Sequence, residues 1–252
     1  MTAARRTALI TGGGKGVGAG IARVLCTGGY RVCINYNSNE AMARATCDAI
    51  RAQGGEAFIF QADVSDRLQV RAMVDETIRR YGGLDLLINN AAMQPDRFID
   101  EYDSAWFSWL WDINIGGCYR TLQECLPYLR QSDCASVVNI SSVHGKRPSV
   151  FDPGYAMTKA AIRMFTREAA VELAHDRITV NAVDLGATRI EHKTGDFKFR
   201  MFLYPEERAS VQIPLGIVEP SDVGHLVLYL ASPGARKMTG SGIRLDGGAM
   251  LV

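Results

Sequence analysis

The chain has 252 residues, of which 47% are hydrophobic and 22% charged, and its formal net charge is +1. These values are typical of a globular protein with a sizeable core, and a near-neutral chain gives no reason to expect nucleic acid or a membrane surface as a partner. No apolar run reaches the roughly 18 residues of a transmembrane helix, and the apolar stretch after Arg5 and Arg6 is too short for a signal peptide.

Six cysteines are spread over the chain, with no Cys-x-x-Cys pair and no histidine at metal-ligand spacing. Most of them fall in helix-like or strand-like runs, where a buried thiol acts as a small hydrophobic side chain. We therefore predict free thiols, no metal site and a cytoplasmic location.

Strand-like and helix-like segments alternate along the whole chain. The predicted strands cover residues 7–10, 31–36, 57–62, 84–89, 136–141, 178–184 and 242–245. Between them lie helical patterns at 21–25, 41–53, 68–81, 106–130, 153–175 and 222–231. Alternation of this kind predicts one α/β domain of the doubly wound Rossmann type, a parallel seven-stranded sheet with helices on both faces. Residues 188–212 break the rhythm, and we predict that they form a lid over a ligand site.

A glycine-rich loop at residues 11–18 follows the first strand and opens the first helix. Gly12, Gly16 and Gly18 permit a tight turn, a close approach of the backbone to a pyrophosphate, and close packing of helix on strand. The loop lacks the Gly-Lys-Ser/Thr ending of ATP-binding loops. It therefore predicts a dinucleotide site.

The second strand ends at Tyr36, Asn37 and Ser38 without the acidic residue that usually binds the ribose hydroxyls of NAD. Lys15, inside the glycine loop, offers a cation to a 2′-phosphate. NADP(H) is therefore the favoured cofactor, and NAD(H) remains an alternative.

Tyr155 and Lys159 are four residues apart on a helix that Asp152 is expected to cap and Pro153 to begin. Their side chains leave from one helix face, and an ammonium beside a phenol stabilises the phenolate. The pair predicts a tyrosine that exchanges a proton with an alcohol or carbonyl.

Five further features complete a pattern. They are Thr-Gly-x-x-x-Gly-x-Gly at 11–18, Asp63-Val64 after the third strand, Asn-Asn-Ala-Ala at 89–92, Asn114 in Asp-Ile-Asn-Ile-Gly, and Ser142 thirteen positions before Tyr155. Together with Lys159 they resemble the short-chain dehydrogenases/reductases over the whole chain. The resemblance implies hydride transfer between a nicotinamide and a CH–OH or carbonyl group of a small molecule.

The resemblance also implies a catalytic tetrad. Tyr155 is expected to be the general acid/base, and Lys159 to lower its pKa and hold the nicotinamide ribose. Ser142 would hold the substrate oxygen. Asn114 would position a water that links Lys159 to solvent. A homotetramer built on residues 106–130, 153–175 and the tail 249–252 is implied as well.

The cofactor contacts expected from the loop and the resemblance form one set: Gly12, Gly14, Lys15, Gly16, Val17, Gly18, Tyr36, Asn37, Ser38, Asp63, Val64, Asn90, Ala91, Ala92, Tyr155, Lys159, Gly186 and Thr188. Two residues depart from the family pattern. Leu185 stands where the family usually has Pro, and Ile190 replaces a Thr that contacts the nicotinamide amide, a role that Thr188 is expected to take.

The nearest groups within the family are the glucose 1-dehydrogenases and the 3-oxoacyl-acyl-carrier-protein reductases. The run Ser-Ser-Val-His-Gly-Lys-Arg-Pro at 141–148 favours a sugar or polyol substrate, with His144 as a polar wall. Asn35-Tyr36 and the Ile-Pro-Leu-Gly run at 213–216 are shared with the reductases, which gives the alternative substrate, a 3-oxoacyl thioester. A nucleotide-sensing protein without turnover is a remote third alternative, since such proteins tend to lose the Tyr or Lys.

Overall fold

The computed structural model describes residues 5–95, 97–148, 152–190 and 213–251. The strands are β1 (Thr7–Ile10), β2 (Arg31–Tyr36), β3 (Glu56–Gln61), β4 (Leu86–Asn89), β5 (Ser136–Ser142), β6 (Thr179–Leu185) and β7 (Gly242–Leu245). The α-helices are α1 (Gly16–Thr27), α2 (Glu40–Ala52), α3 (Arg67–Tyr81), α4 (Ser104–Trp111), α5 (Gly117–Leu129), α6 (Pro153–Glu172) and α7 (Pro220–Leu230).

All seven strands form one parallel sheet in the order β3-β2-β1-β4-β5-β6-β7. The strands in the middle of the sheet are buried on both faces, which explains the apolar runs at residues 8–10 in β1 and 86–88 in β4. One apolar cluster packs α1, α2 and α7 on one face, and a second packs α3, α5 and α6 on the other. The predicted doubly wound Rossmann fold is confirmed.

Local sequence signals account for several helix ends. The side chains of Asn39 and Asp66 accept hydrogen bonds from first-turn N–H groups of α2 and α3. Gly82 ends α3 with φ of 78°, a left-handed conformation that favours glycine. Asp152 accepts from the N–H of Tyr155 and so caps α6, with Pro153 in its first turn as predicted.

The helix predicted over residues 106–130 is interrupted. A π-helical turn, Asp112–Gly116, separates α4 from α5. The apolar pattern continues through this turn, so periodicity alone did not indicate it. Turns of this type are frequent at functional sites because they displace one residue from the regular helix surface.

Only residues 188–190 of the predicted lid lie within the described residues, and they contact the segment that leads into α7. Thr188 and Val218 form a parallel β-bridge, and the N–H of Arg189 donates to the carbonyl of Val218 over 2.9 Å. An ion pair joins Arg189 to Glu219 at 2.6 Å. Among the helices of the described part of the chain, none is both long enough and apolar enough to span a bilayer.

Candidate active site

The sheet brings the predicted motifs to one edge. In a parallel sheet with helices on both faces, ligands bind beyond the carboxyl ends of the strands, where the strand order reverses. That reversal lies between β1 and β4, since the chain runs outward from β1 to β3 and then returns to β4 on the other side. The glycine loop follows β1, and the segment that begins at Asn90 follows β4.

The glycine loop is held by the end of β2. The N–H of Gly12 donates to the side-chain oxygen of Asn35 over 3.0 Å, and the N–H of Gly13 donates to the Asn35 carbonyl over 2.8 Å. Gly12 and Gly16 have φ of 61° and 52°, a region that side chains other than glycine rarely adopt. Of the three glycines singled out in the sequence, Gly12 and Gly16 therefore need this conformation, whereas Gly18 does not.

Asn90 contacts the glycine loop directly. Its side-chain amide donates to the carbonyls of Thr11 and Gly12, each over 2.9 Å, and the cofactor contacts expected of Asn90, Ala91 and Ala92 stay a prediction. The Thr11 hydroxyl accepts in turn from the N–H groups of Asn90 and Ala91, over 2.9 and 3.1 Å. These bonds satisfy polar groups in the narrow gap between β1 and β4. The side chain of Asn90 thus positions the glycine loop.

The start of α1 fits a dinucleotide phosphate. The helix begins at Gly16, and its N-cap, Lys15, makes no side-chain hydrogen bond to the first turn, so no side chain covers the N–H groups there. Lys15 itself is exposed, while Gly14 packs directly on Ala43. Val17, partly buried, packs against the apolar cluster beneath. An anion at this helix end would meet backbone N–H groups and the Lys15 ammonium.

The neighbouring wall comes from the ends of β2 and β3. The Asn37 amide donates to one Asp63 oxygen over 3.1 Å, and the other oxygen accepts from Ser65 through its N–H and its hydroxyl. The Asp63 carboxylate thus joins the two loops, and its expected cofactor contact stays a prediction. Val64 is buried and packs against Gly117 of α5. Tyr36 is partly buried and Ser38 exposed, so this wall has both an apolar and a polar surface.

Asn114 sits in the π-helical turn and is fully buried. Its side-chain oxygen accepts from the N–H of Met93 over 2.8 Å, and its amide donates to the Met93 carbonyl over 2.9 Å and to the Thr158 hydroxyl over 3.0 Å. The amide therefore ties the segment after β4 to α6. The side chain of Asn114 therefore makes three hydrogen bonds to protein groups. The water expected beside it stays a prediction.

Ser142, Tyr155 and Lys159 lie together at the end of β5. The Ser142 hydroxyl is near enough to the Tyr155 phenol to lower its pKa, and the Lys159 Nζ lies 5.4 Å from the centre of the Tyr155 ring. Lys159 is buried and donates to the carbonyl of Ile140 over 2.8 Å. The Ser142 hydroxyl also donates to the Leu185 carbonyl over 3.4 Å. The predicted residues thus form one polar group at the carboxyl edge of the sheet.

The pKa values of this group differ from the expectation. Although Tyr155 keeps some exposure, burial raises the pKa of its phenol to about 12, and the nearby Ser142 hydroxyl lowers it only partly. Burial lowers the pKa of the Lys159 ammonium to about 8. The sequence predicted a stabilised phenolate, and the structure has a protonated phenol because loss of solvation outweighs the nearby favourable groups.

The end of β6 pairs regularly with β7, although Leu185 stands where the family usually has Pro. Leu185 completes β6 and pairs with Leu245, and the N–H of Gly186 donates to the Leu245 carbonyl over 3.0 Å. The Thr188 hydroxyl donates to the Gly186 carbonyl over 3.1 Å. The loss of Pro is therefore compensated by strand pairing. The role of Thr188 toward a nicotinamide amide stays a prediction.

A first test concerns Gly18, whose helix face touches the loop. A Cβ at this position would overlap the carbonyl oxygen of Gly12 and lie 2.8 Å from the Asn90 amide. We expect Gly18→Ala to displace the loop, to weaken binding of NADPH at least tenfold, and to destabilise the fold by about 1–3 kcal/mol. Titration of NADPH fluorescence and thermal unfolding measure the two effects.

Gly83 supplies the matched control. A Cβ there would meet no atom within 4 Å, so Gly83→Ala is expected to leave both quantities unchanged. Unchanged NADPH binding in Gly18→Ala would contradict the assignment of this loop as the phosphate site.

Comparisons with known proteins agree with the geometry. A family model described as enoyl-(acyl carrier protein) reductase matches residues 12–250. The chain is 33% identical over 244 residues to a 3-oxoacyl-[acyl-carrier-protein] reductase of Staphylococcus aureus, covering 96% of this chain and 97% of that protein. It is 34% identical over 250 residues to 3beta-hydroxysteroid dehydrogenase 1 of Eggerthella lenta, covering 98% and 94%. A short chain dehydrogenase from Burkholderia cenocepacia, solved in complex with NADP, superimposes with a TM-score of 0.87 at 30% identity, covering 97% and 98%.

Proposed function

Because this chain belongs to the short-chain dehydrogenase/reductase family, we propose that it reduces the 3-oxo group of an acyl thioester to a secondary alcohol with NADPH as reductant. The observation that carries the reaction is the juxtaposition of Ser142, Tyr155 and Lys159 at the end of β5. The family acts on carbonyl and hydroxyl groups with a nicotinamide cofactor. The thioester substrate is the finer part of the proposal.

The protonation of Tyr155 supports reduction as the working direction. Because burial raises the pKa of its phenol to about 12, the hydroxyl carries its proton at neutral pH. A carbonyl reduction needs a proton donor, whereas an alcohol oxidation needs a base. The site therefore begins in the form that a reduction uses.

The residues divide the work as follows. The Ser142 hydroxyl, at the buried end of β5, holds the carbonyl oxygen of the substrate. A nicotinamide cofactor, held by the glycine loop and the start of α1, would supply the hydride for the carbonyl carbon. Tyr155 gives its proton to the oxygen, and the ammonium of Lys159 stabilises the phenolate that remains. Asn114 keeps the segment around Met93 against α6, so that these groups stay in place.

Two relatives of the chain support the thioester, since 3-oxoacyl reductases of Staphylococcus aureus and Staphylococcus epidermidis match 96% of it. The second candidate is the oxidation of a sugar or polyol hydroxyl. His144 supports that reading, because it is partly buried two residues after Ser142, and its backbone N–H donates to the Ser142 hydroxyl over 3.2 Å. The similarity to named proteins favours the thioester over the sugar.

One spectrophotometric screen separates the candidates. NADPH and NADH are each offered with the N-acetylcysteamine thioester of 3-oxobutanoate, and NADP⁺ and NAD⁺ with glucose and a set of polyols. The proposal expects the highest kcat/KM for the thioester with NADPH. A higher kcat/KM for a sugar would replace the proposed substrate and leave the reaction class intact.

Cofactor choice depends on Lys15 in the proposal. No acid follows Tyr36 to bind ribose hydroxyls, and the exposed Lys15 stands at the open end of α1. We expect Lys15→Ala to weaken NADPH about two- to fivefold and NADH hardly at all, the size of an exposed ion pair. Fluorescence titration of both nucleotides measures the ratio, and Lys237→Ala, an exposed lysine beyond α7, is the control. Equal weakening of the two nucleotides would remove the 2′-phosphate role.

Two further parts of the proposal concern the surroundings of the protein. A homotetramer is proposed, and exposed apolar side chains on the three helices of the expected interface support it: Trp109, Tyr119, Met157 and Met164. A cytoplasmic location is proposed from the free thiols.

A further inference from the structure

Tyr102 reaches the catalytic helix from a distant part of the chain. It lies between a short 3-10 turn, Ile99–Glu101, and the start of α4. Its hydroxyl donates to Asp152 Oδ1 over 2.6 Å, across 50 positions of sequence. Asp152 is fully buried and caps α6. The bond therefore joins the rim of the site to the residue on which α6 begins.

The same contact fixes the first turn of α6 in two further ways. Asp152 Oδ1 also accepts from the backbone N–H of Tyr155 over 2.9 Å, so one oxygen serves both tyrosines. The Tyr102 ring covers Gly154 so closely that a Cβ there would lie 2.7 Å from its hydroxyl. Phe107 supports the ring from behind, with centroids 6.4 Å apart and an edge-to-face angle of 82°.

We propose that Tyr102 is a positioning residue for Tyr155: its ring seats the first turn of α6, and its hydroxyl takes up part of the charge of the buried Asp152 carboxylate beside the catalytic phenol. The inference rests on the proposed role of Tyr155 as the acid of the reaction. The Asp152 charge itself raises the pKa of Tyr155, so a partner for that charge matters to the chemistry.

Other titratable and charged groups lie on elements packed against α6, and each of the following is either shifted by burial or held in an ion pair. The Cys118 thiol is protonated at neutral pH because burial raises its pKa to about 11, and burial lowers the pKa of His144. Two carboxylates on these elements form ion pairs: Asp112 with Arg120 and Asp184 with Arg163. Lys159 shares the helix with Tyr155. Asp152 is therefore the anion whose neutralisation bears directly on Tyr155.

Two variants are expected to shift the pH dependence of the reaction in opposite directions. Tyr102→Phe keeps the ring and removes the hydroxyl, which leaves more of the Asp152 charge acting on Tyr155. Asp152→Asn keeps a helix cap and removes the charge. In the oxidation of the N-acetylcysteamine thioester of 3-hydroxybutanoate, where Tyr155 acts as base, the rise of kcat/KM with pH moves to higher pH in Tyr102→Phe and to lower pH in Asp152→Asn.

The sizes and controls follow from the geometry. We expect kcat to fall about tenfold at neutral pH in Tyr102→Phe, with KM within about twofold, because a displaced proton carrier affects the chemical step. Tyr119→Phe also loses a hydroxyl bond, which Tyr119 accepts from the Gln123 amide over 2.9 Å on the exposed surface of α5, and should leave the profile unchanged. Shifts in the same direction, or no shift in Tyr102→Phe, would overturn the inference.

A readout without turnover separates this inference from the proposed function. Hydrogen exchange at the Tyr155 amide, which donates to Asp152, is expected to be faster in Tyr102→Phe than in the parent protein. If the parent fails to turn over the thioester, the proposed function falls, while faster exchange in Tyr102→Phe still supports the positioning role of Tyr102. Unchanged exchange in Tyr102→Phe would refute that role whatever the substrate.

Discussion

Tyr155→Phe is expected to lose most of its turnover while it still binds the cofactor. The substitution removes one oxygen from the group formed with Ser142 and Lys159 and keeps the ring in place. General acid/base catalysis contributes about 10²–10⁴-fold, so kcat for the thioester should fall by that range. The glycine loop and the end of α1 are untouched, and the affinity for NADPH should stay within a few-fold.

The measurement pairs steady-state kinetics with fluorescence titration of NADPH. Tyr229→Phe, a half-exposed tyrosine on α7, is the control for loss of a phenol elsewhere and should match the parent in both. Thermal unfolding shows whether the variant is folded. Full activity in Tyr155→Phe would disprove the mechanism, whereas loss of NADPH binding would assign Tyr155 mainly to the cofactor.

The sequence was sufficient for elements whose signals are local. The cap at Asp152 was predicted, because a capping side chain bonds to an N–H group only two or three residues ahead, and Asn39 and Asp66 cap α2 and α3 by the same local bonds. A glycine turn after the first strand was predicted as well, and Gly12 and Gly16 adopt the positive φ that favours glycine.

Contacts between distant segments were beyond the sequence. Asn90 is a recognisable motif residue, yet its bonds to Thr11 and Gly12 arise only when β4 lies beside β1. Tyr102 gave no signal at all, since its partner lies 50 positions away. The raised pKa of Tyr155 belongs to the same class, because spacing on a helix gives the distance to Lys159 and burial depends on the whole fold.

Lys159 links catalysis to stability. Burial lowers its pKa from an ordinary 10.5 to about 8. At neutral pH the folded protein therefore holds a charge that would be better solvated in the unfolded chain. Between these two values the unfolded chain binds a proton that the folded protein lacks, so this group makes the free energy of unfolding rise with pH. Methionine at this position has similar length and no charge.

We expect Lys159→Met to lower kcat about 10²-fold or more, since the phenolate of Tyr155 loses its nearby ammonium. Cys33, Cys118, Cys125 and Tyr155 have raised pKa values, so they reduce stability at high pH in parent and variant alike.

The difference in the free energy of unfolding between the parent protein and Lys159→Met isolates the contribution of Lys159. The free energy of unfolding of the parent minus that of Lys159→Met should increase by about 1–2 kcal/mol as the pH is raised from about 7.5 to 9.5. Urea unfolding at several pH values measures it, and the exposed Lys237→Met should give a flat difference. A flat difference for Lys159→Met would mean that the ammonium reaches solvent. The ammonium of Lys159 costs the fold stability at neutral pH, and we expect that this cost is offset by its effect on the neighbouring phenol. A Lys159→Met variant with full activity would contradict this, since Tyr155 would then work without the ammonium.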